Sequence, residues 1–132
     1  MKNFISQITG NNNDYCVENP ELTKKIAKSQ APKVTMVTCC DSRMDLSQLW
    51  IEWTNQVFTI RNIWNIIEGN EWDVQYWVGH LKTPVLLILG HTNCWAVNAA
   101  INSYDKVEEE IKAKLDFIVP AVKWTTDWKT WV

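Results

Sequence analysis

The sequence predicts an α/β fold, a central and mostly parallel β-sheet flanked by helices. Three apolar, β-branched runs of strand length (33–39, 56–60 and 84–89) are nearly continuous in hydrophobicity and lack the alternation of a half-exposed sheet. Between them stand segments of helical period. Leu46, Leu49, Trp50 and Trp53 fall at i, i+3, i+4 and i+7, and Val74, Trp77, Val78 and Leu81 repeat that spacing. Strands joined by such crossovers pair in parallel and are covered on both faces.

The remaining elements follow from local signals. Residues 11–18 are polar and read as a loop, and Asn19-Pro20 supplies an N-cap and an N1 proline for a helix to about Ser29. Asp105 with Glu108 reads as a capping pair opening a helix whose apolar stripe is Val107, Ile111, Leu115 and Ile118, ending at Pro120. Residues 121–132 have no clear period. With no repeat or linker, the expectation is a single domain over 1–132, a helical arm through residue 32 followed by an α/β core over 33–120.

Composition excludes several function classes. A net charge of −2 with intermixed acids and bases leaves no basic stripe for nucleic acid, and no apolar run is long enough for a membrane span. Met1 to Gly10 has no apolar h-region, so four cysteines without a secretory signal point to a cytoplasmic protein with free or metal-bound thiols.

The chemistry sits at two places. Cys39 ends the first strand and Gly90, His91 and Cys94 follow the third, beyond the carboxyl ends of strands, where open α/β sheets collect ligands. Thiolate and imidazole are preferred zinc donors, and three of them with a fourth position open describe a catalytic site. Cys39 alone reads more readily as a small buried hydrophobe. Its neighbours shift the balance: Asp41 and Arg43 alternate with it, an arrangement in which a guanidinium holds a carboxylate bidentately beside a metal. A surface ion pair would explain those two residues and leave the thiols unexplained.

Cys39-Cys40-Asp41-Ser42-Arg43 matches the C-x-D-S-R motif of β-class carbonic anhydrases, and His91-Thr92-Asn93-Cys94 their H-x-x-C motif. Arg61-Asn62 stands at the spacing of the family's R-N or R-V element after the second strand, and the resemblance runs from about Gln30 to Ile101. The resemblance implies a zinc lyase in which Zn²⁺ on Cys39, His91 and Cys94 ionises a water that adds to carbon dioxide and leaves as bicarbonate. It implies that Asp41 orients that nucleophile and that Arg43 keeps Asp41 ionised and in place. The plant-type branch lines its pocket with a glutamine, a phenylalanine and a tyrosine, some contributed across a dimer interface, and Gln30, Phe58 and Tyr76 are similar to these. Ile63 resembles a pocket aliphatic. A homodimer or larger homo-oligomer is implied as well. Two thiolates on the ion imply a less acidic bound water and activity favoured at alkaline pH. His80, at i+4 from Tyr76, reads as a surface residue, and Cys16 and Cys40 as structural.

The chain departs from the family in two ways. Trp95 and Trp64 stand where the family has glycine, Trp53 and Trp72 also align with glycines, and Trp77 with a small residue. Such exchanges are expected to overpack and threaten folding. The chain has nine tryptophans and four glycines; five more glycines would restore about 7%, the average usage. This coincidence motivates a decoding hypothesis, in which a codon read as glycine in the source organism, UGA being the obvious candidate, is rendered here as tryptophan. The second departure is at the C-terminus, where family members continue into a further strand, so truncation is expected. Two rival readings remain: a non-catalytic zinc-binding relative whose pocket is occluded by tryptophan, and a thiol redox protein using Cys39 and Cys40, whose adjacent cysteines would form a strained disulfide.

Overall fold

A computed structural model describes residues 2–49, 52–63 and 65–124, and the chain divides into two compact units, one through Ala31 and one from Pro32 onward. The first unit contains α1 (Lys2–Glu18) and α2 (Pro20–Ile26). The loop expected at 11–18 is the second half of α1. Asparagine in a helix costs well under about 1 kcal/mol per residue, and the helix ends where Asn19 donates both its backbone N–H and its Nδ2 to the Tyr15 carbonyl, each at 3.0 Å. Asn19 therefore closes α1, and it makes no side-chain cap to α2. The second helix stops at Ile26, short of Ser29.

The second unit is built on a parallel three-stranded sheet of β1 (Val34–Cys39), β2 (Val57–Asn62) and β3 (Val85–Leu89), in the order β2-β1-β3. In register, Val34 pairs Val57 and Val85, and Cys39 pairs Asn62. Central β1 is buried from Thr35 to Cys39. Its threonines keep their hydroxyls satisfied: Thr35 Oγ1 lies 2.7 Å from Thr83 Oγ1, and Thr38 Oγ1 donates to the Leu89 carbonyl at 3.1 Å. Coverage on both faces fails at β3, where Val85 and Ile88 are about half exposed. Continuous hydrophobicity describes the residues; coverage also needs elements on each face, and β3 stands at an edge.

The crossovers differ from expectation. After β1 the predicted helix is a 3-10 turn, Leu46–Gln48. Asp45 accepts from the Ser47 amide at 3.0 Å and from its hydroxyl at 2.6 Å, local bonds that compete with helix extension. Leu46 is buried, Leu49 and Trp53 are exposed, and Trp50 lies outside the described residues. The second crossover is helical: α3 (Glu71–Tyr76) runs into a π-helical turn, Trp77–Leu81, closed by Lys82 in the left-handed region (φ 52°). Of its predicted face Val74, Trp77 and Leu81 are half-buried, whereas Val78 is exposed. Gly69 precedes it at φ 79°, a conformation that suits glycine.

Beyond the sheet lie α4 (Trp95–Asn102), α5 (Glu109–Leu115) and α6 (Val119–Trp124). Asp105 belongs to a separate 3-10 turn, Tyr104–Lys106, and the cap position of α5 is Glu108, so the predicted capping pair does not form. Pro120 sits in the first turn of α6, where its missing N–H costs nothing, and so it opens a helix instead of ending one. The predicted stripe holds: buried Leu115 and Ile118 join Ala96 and Ala99 of α4, with Val107 and Ile111 packed against them. Cys39 and Cys94 belong to this same cluster. No helix among the described residues is long and apolar enough to cross a membrane.

Candidate metal centre

Cys39, His91 and Cys94 place their donor atoms within 4.8 Å of one another at the carboxyl end of the sheet. The end of β1 delivers the first sulfur. The turn after β3 delivers the other two donors, and it depends on Asn93, which adopts φ 53°, a left-handed conformation that asparagine tolerates unusually well. Cys94 precedes the first turn of α4 in extended geometry.

The donors fit a thiophilic divalent ion. His91 Nδ1 lies 3.0 Å from the Thr92 carbonyl, which can only accept, so Nδ1 carries the proton and Nε2 presents its lone pair. That Nε2 is buried and has no hydrogen-bond partner. An orphaned buried acceptor beside two sulfurs is costly without a Lewis acid and is explained by one, and the donor set is that of zinc.

Cys39 is 4% exposed. Its Sγ accepts from the Asp41 amide at 3.4 Å and donates to the Ile63 carbonyl at 3.4 Å. Burial pushes this thiol up, the Asp41 amide opposes the rise, and the neighbouring Cys94 adds to it. Cys40 is exposed and outside the donor cluster, consistent with alternation from Cys39, although it borders the pocket.

Arg43 engages both carboxylate oxygens of Asp41. Its Oδ1 accepts from the Arg43 amide and Nε, both at 2.9 Å, and its Oδ2 accepts from Nη2 at 2.7 Å. These bonds hold the carboxyl far below the usual carboxylate range and raise the guanidinium. Arg43 Nη2 also donates to the Asn93 carbonyl at 3.2 Å, tying the first motif to the second. Asp41 thus stands beside the donor cluster and outside it.

A pocket of about 270 Å³ opens here, with Cys39, Asp41, Ile63, Cys94 and Trp95 in its wall. Of the predicted pocket residues, Ile63 is brought to the metal centre. Phe58 and Tyr76 are brought to each other, ring centroids 5.8 Å apart, and His80 stacks on Tyr76 at 5.4 Å. Phe58 registers with Thr35, four residues from the Cys39–Asn62 pair, about 13 Å along the strand. Gln30 is an exposed residue of the other unit. The turn-forming roles of Asn93 and Asp45 were missed from sequence; an asparagine inside H-x-x-C was the available signal for the first.

Four of the five unusual tryptophans can be described, Trp64 lying outside the described residues. None of Trp53, Trp72, Trp77 and Trp95 has positive φ. Trp72 is 83% and Trp95 52% exposed, and half-buried Trp77 donates its Nε1 to the Thr83 carbonyl at 3.3 Å. The expected overpacking of the buried core therefore does not arise at Trp53, Trp72 or Trp95, because Trp72 is largely exposed and Trp53 and Trp95 are about half exposed, Trp95 in the wall of the pocket.

Known proteins are similar to this chain in sequence and in fold. The family model for carbonic anhydrase matches residues 34–130. A carbonic anhydrase of Emericella nidulans is 33% identical over 91 residues, 66% of this chain and 40% of that protein. A tetrameric β-carbonic anhydrase of Sordaria macrospora superposes with a TM-score of 0.78 at 25% identity, over 89% of this chain and 63% of that one. The β-carbonic anhydrase CcaA gives 0.85 at 20% identity, a likeness of fold, over 100% and 68%. The chain spans less than half the length of the Emericella relative. With the motif residues gathered at one end of a parallel sheet and the family model matching most of its length, the chain belongs to the β-carbonic anhydrase family.

Proposed function

We propose that the protein is a zinc-dependent carbonic anhydrase of the plant-type branch, interconverting carbon dioxide and bicarbonate. The observation that carries this reading is the convergence of two buried sulfurs and an orphaned imidazole nitrogen on one point. Cys39, His91 and Cys94 would hold the ion. Zinc on three protein ligands keeps one position for water and lowers that water's pKa.

The residues around it perform the positioning. An ionised carboxylate only accepts, with about four lone-pair sites, and Arg43 occupies three of those on Asp41. The remaining site, on Oδ2, accepts one hydrogen bond from a donor in the pocket and so aims its lone pair. Because Asp41 is held ionised, it selects for a group that carries a proton. Ile63 supplies an apolar wall suited to carbon dioxide. We assign Phe58, Tyr76 and Gln30 to the pocket of a second copy of the chain, a reading supported for Phe58 by its distance along β2 from its own metal centre. Homo-oligomer assembly is supported by the exposed apolar residues of β3 and by the tetrameric Sordaria relative.

A second reading has its own observation: Trp95 borders the pocket, and its indole would occlude it in a zinc-binding relative without activity. The decoding hypothesis joins the two, since glycine at that position clears the mouth. The test measures zinc content and stopped-flow carbon dioxide hydration on the chain as written and on a form with glycine at Trp53, Trp64, Trp72, Trp77 and Trp95. Stoichiometric zinc with hydration in the chain as written supports the enzyme; zinc without hydration in the chain as written, with hydration gained in the glycine form, supports occlusion by tryptophan and the decoding hypothesis; zinc without hydration in both forms counts against both readings. UGG codons at all five positions in the gene would end the decoding hypothesis.

A further inference from the structure

We infer that Arg61 is a positioning residue of the metal centre, holding the main chain that carries Cys39 and Asp41. This rests on the metal reading above. The motif loop leaves the sheet after Cys39 and has no regular structure until Leu46. Arg61 stands opposite Thr38 on the neighbouring strand, and its guanidinium bridges the loop. Nε donates to the Cys39 carbonyl at 3.3 Å, and Nη2 donates to the carbonyls of Asp41 at 3.2 Å and Met44 at 2.9 Å.

Two of those carbonyls belong to the residue that offers the first sulfur and to the residue that offers the carboxylate. A main-chain shift at either one moves a functional atom. The two arginines divide the work: Arg43 fixes the Asp41 side chain, and Arg61 fixes the backbone on which that side chain and the sulfur are mounted. Asn62 serves the opposite wall. Its backbone carbonyl accepts from the Cys40 amide at 2.9 Å, while its side chain donates to the Ile66 carbonyl at 2.7 Å and accepts from the Ile66 amide at 3.1 Å. This clamp closes the turn containing Ile63, whose carbonyl meets the Cys39 sulfur. Arg61 acts through geometry. Three carbonyls at different places along a loop need a planar fork with spread donors, which the single ammonium of lysine does not reproduce.

The test compares the parent chain with Arg61→Lys, which keeps the charge, and Arg61→Met, which keeps the length. Each is measured for zinc affinity by chelator competition, for the ligand-field spectrum of bound cobalt(II), and for thermal unfolding without metal. The expected result is a loss of zinc affinity of about 10–100-fold in both variants with an altered cobalt spectrum, while both remain folded. Arg61→Lys matching the parent in affinity and spectrum would overturn the proposal in favour of charge alone. An unchanged Arg61→Met overturns it as well, and loss of folding in both variants would assign Arg61 to stability. If Arg61→Met alone fails to fold, Arg61→Lys decides. A parent chain that takes up no cobalt sinks the metal reading itself, a failure distinct from a parent that binds and variants that bind equally.

Discussion

Lowering the pH from 8 to 6 should weaken zinc binding at least 100-fold, and Cys39 sets the minimum slope. Its sulfur lies between an amide that favours the thiolate and a carbonyl that favours the thiol. Burial decides between them, raising the thiol so that it carries its proton at neutral pH. Coordination requires the thiolate, so each ion bound expels at least this proton. Below a raised pKa the free protein holds the proton and the loaded protein does not, so affinity rises with pH. One proton gives a factor of ten per pH unit, and two units correspond to about 2.7 kcal/mol. Competition against a chelator of known pH dependence at pH 6, 7 and 8 reads the slope. A dye in weak buffer independently counts the protons released. A slope below one logarithmic unit per pH unit would refute the argument that Cys39 is a buried thiol awaiting a metal.

Asp41→Asn should keep one zinc per chain, because Asp41 is outside the donor cluster, yet lower hydration by about 10–100-fold; elemental analysis and stopped flow on one preparation separate the two effects. Asn93→Gly should leave zinc uptake intact, whereas Asn93→Val forces a β-branched residue to φ 53° and should cost about 1–3 kcal/mol in urea unfolding. Removing the larger side chain should matter less than removing the smaller: Leu115→Ala, at 0% exposure, should cost about 2–5 kcal/mol, and Trp72→Ala, 83% exposed, should stay within about 0.5 kcal/mol.

The strands and the clustering of Cys39, His91 and Cys94 were legible for one reason: both depend on residues whose chemistry admits few alternatives. A run such as Val85–Leu89 has little choice but to enter a sheet, and two thiols with an imidazole at strand ends have few other uses. The helical periods were less reliable. Leu46, Leu49, Trp50 and Trp53 have helical spacing, but Asp45 and Ser47 bond to each other and the segment described is a 3-10 turn. Residues 11–18 erred in the opposite direction, since asparagines favour loops only weakly and α1 extends through them to an asparagine that closes it. Arg61 shows a third limit. Spacing located it, but its role lies in bonds to carbonyls, which every residue possesses and no sequence pattern marks.

The location of the thiols ties folding to chemistry. Cys39 and Cys94 pack among Leu115, Ile118, Ala96 and Ala99, so the floor of the metal centre is also core of the second unit. Asp41 and Arg43, by contrast, stand on an exposed loop held by side-chain forks. A substitution in the core therefore changes affinity and stability together, whereas one in the forks can change chemistry while the chain stays folded. Trp95 belongs with the second group. It begins α4 with ordinary backbone, and its half-exposed indole borders the pocket without entering the buried core. Exchanging it for glycine should widen the approach to the candidate metal centre and leave Cys39, His91 and Cys94 where they are, so a gain in hydration is expected without a gain in zinc content.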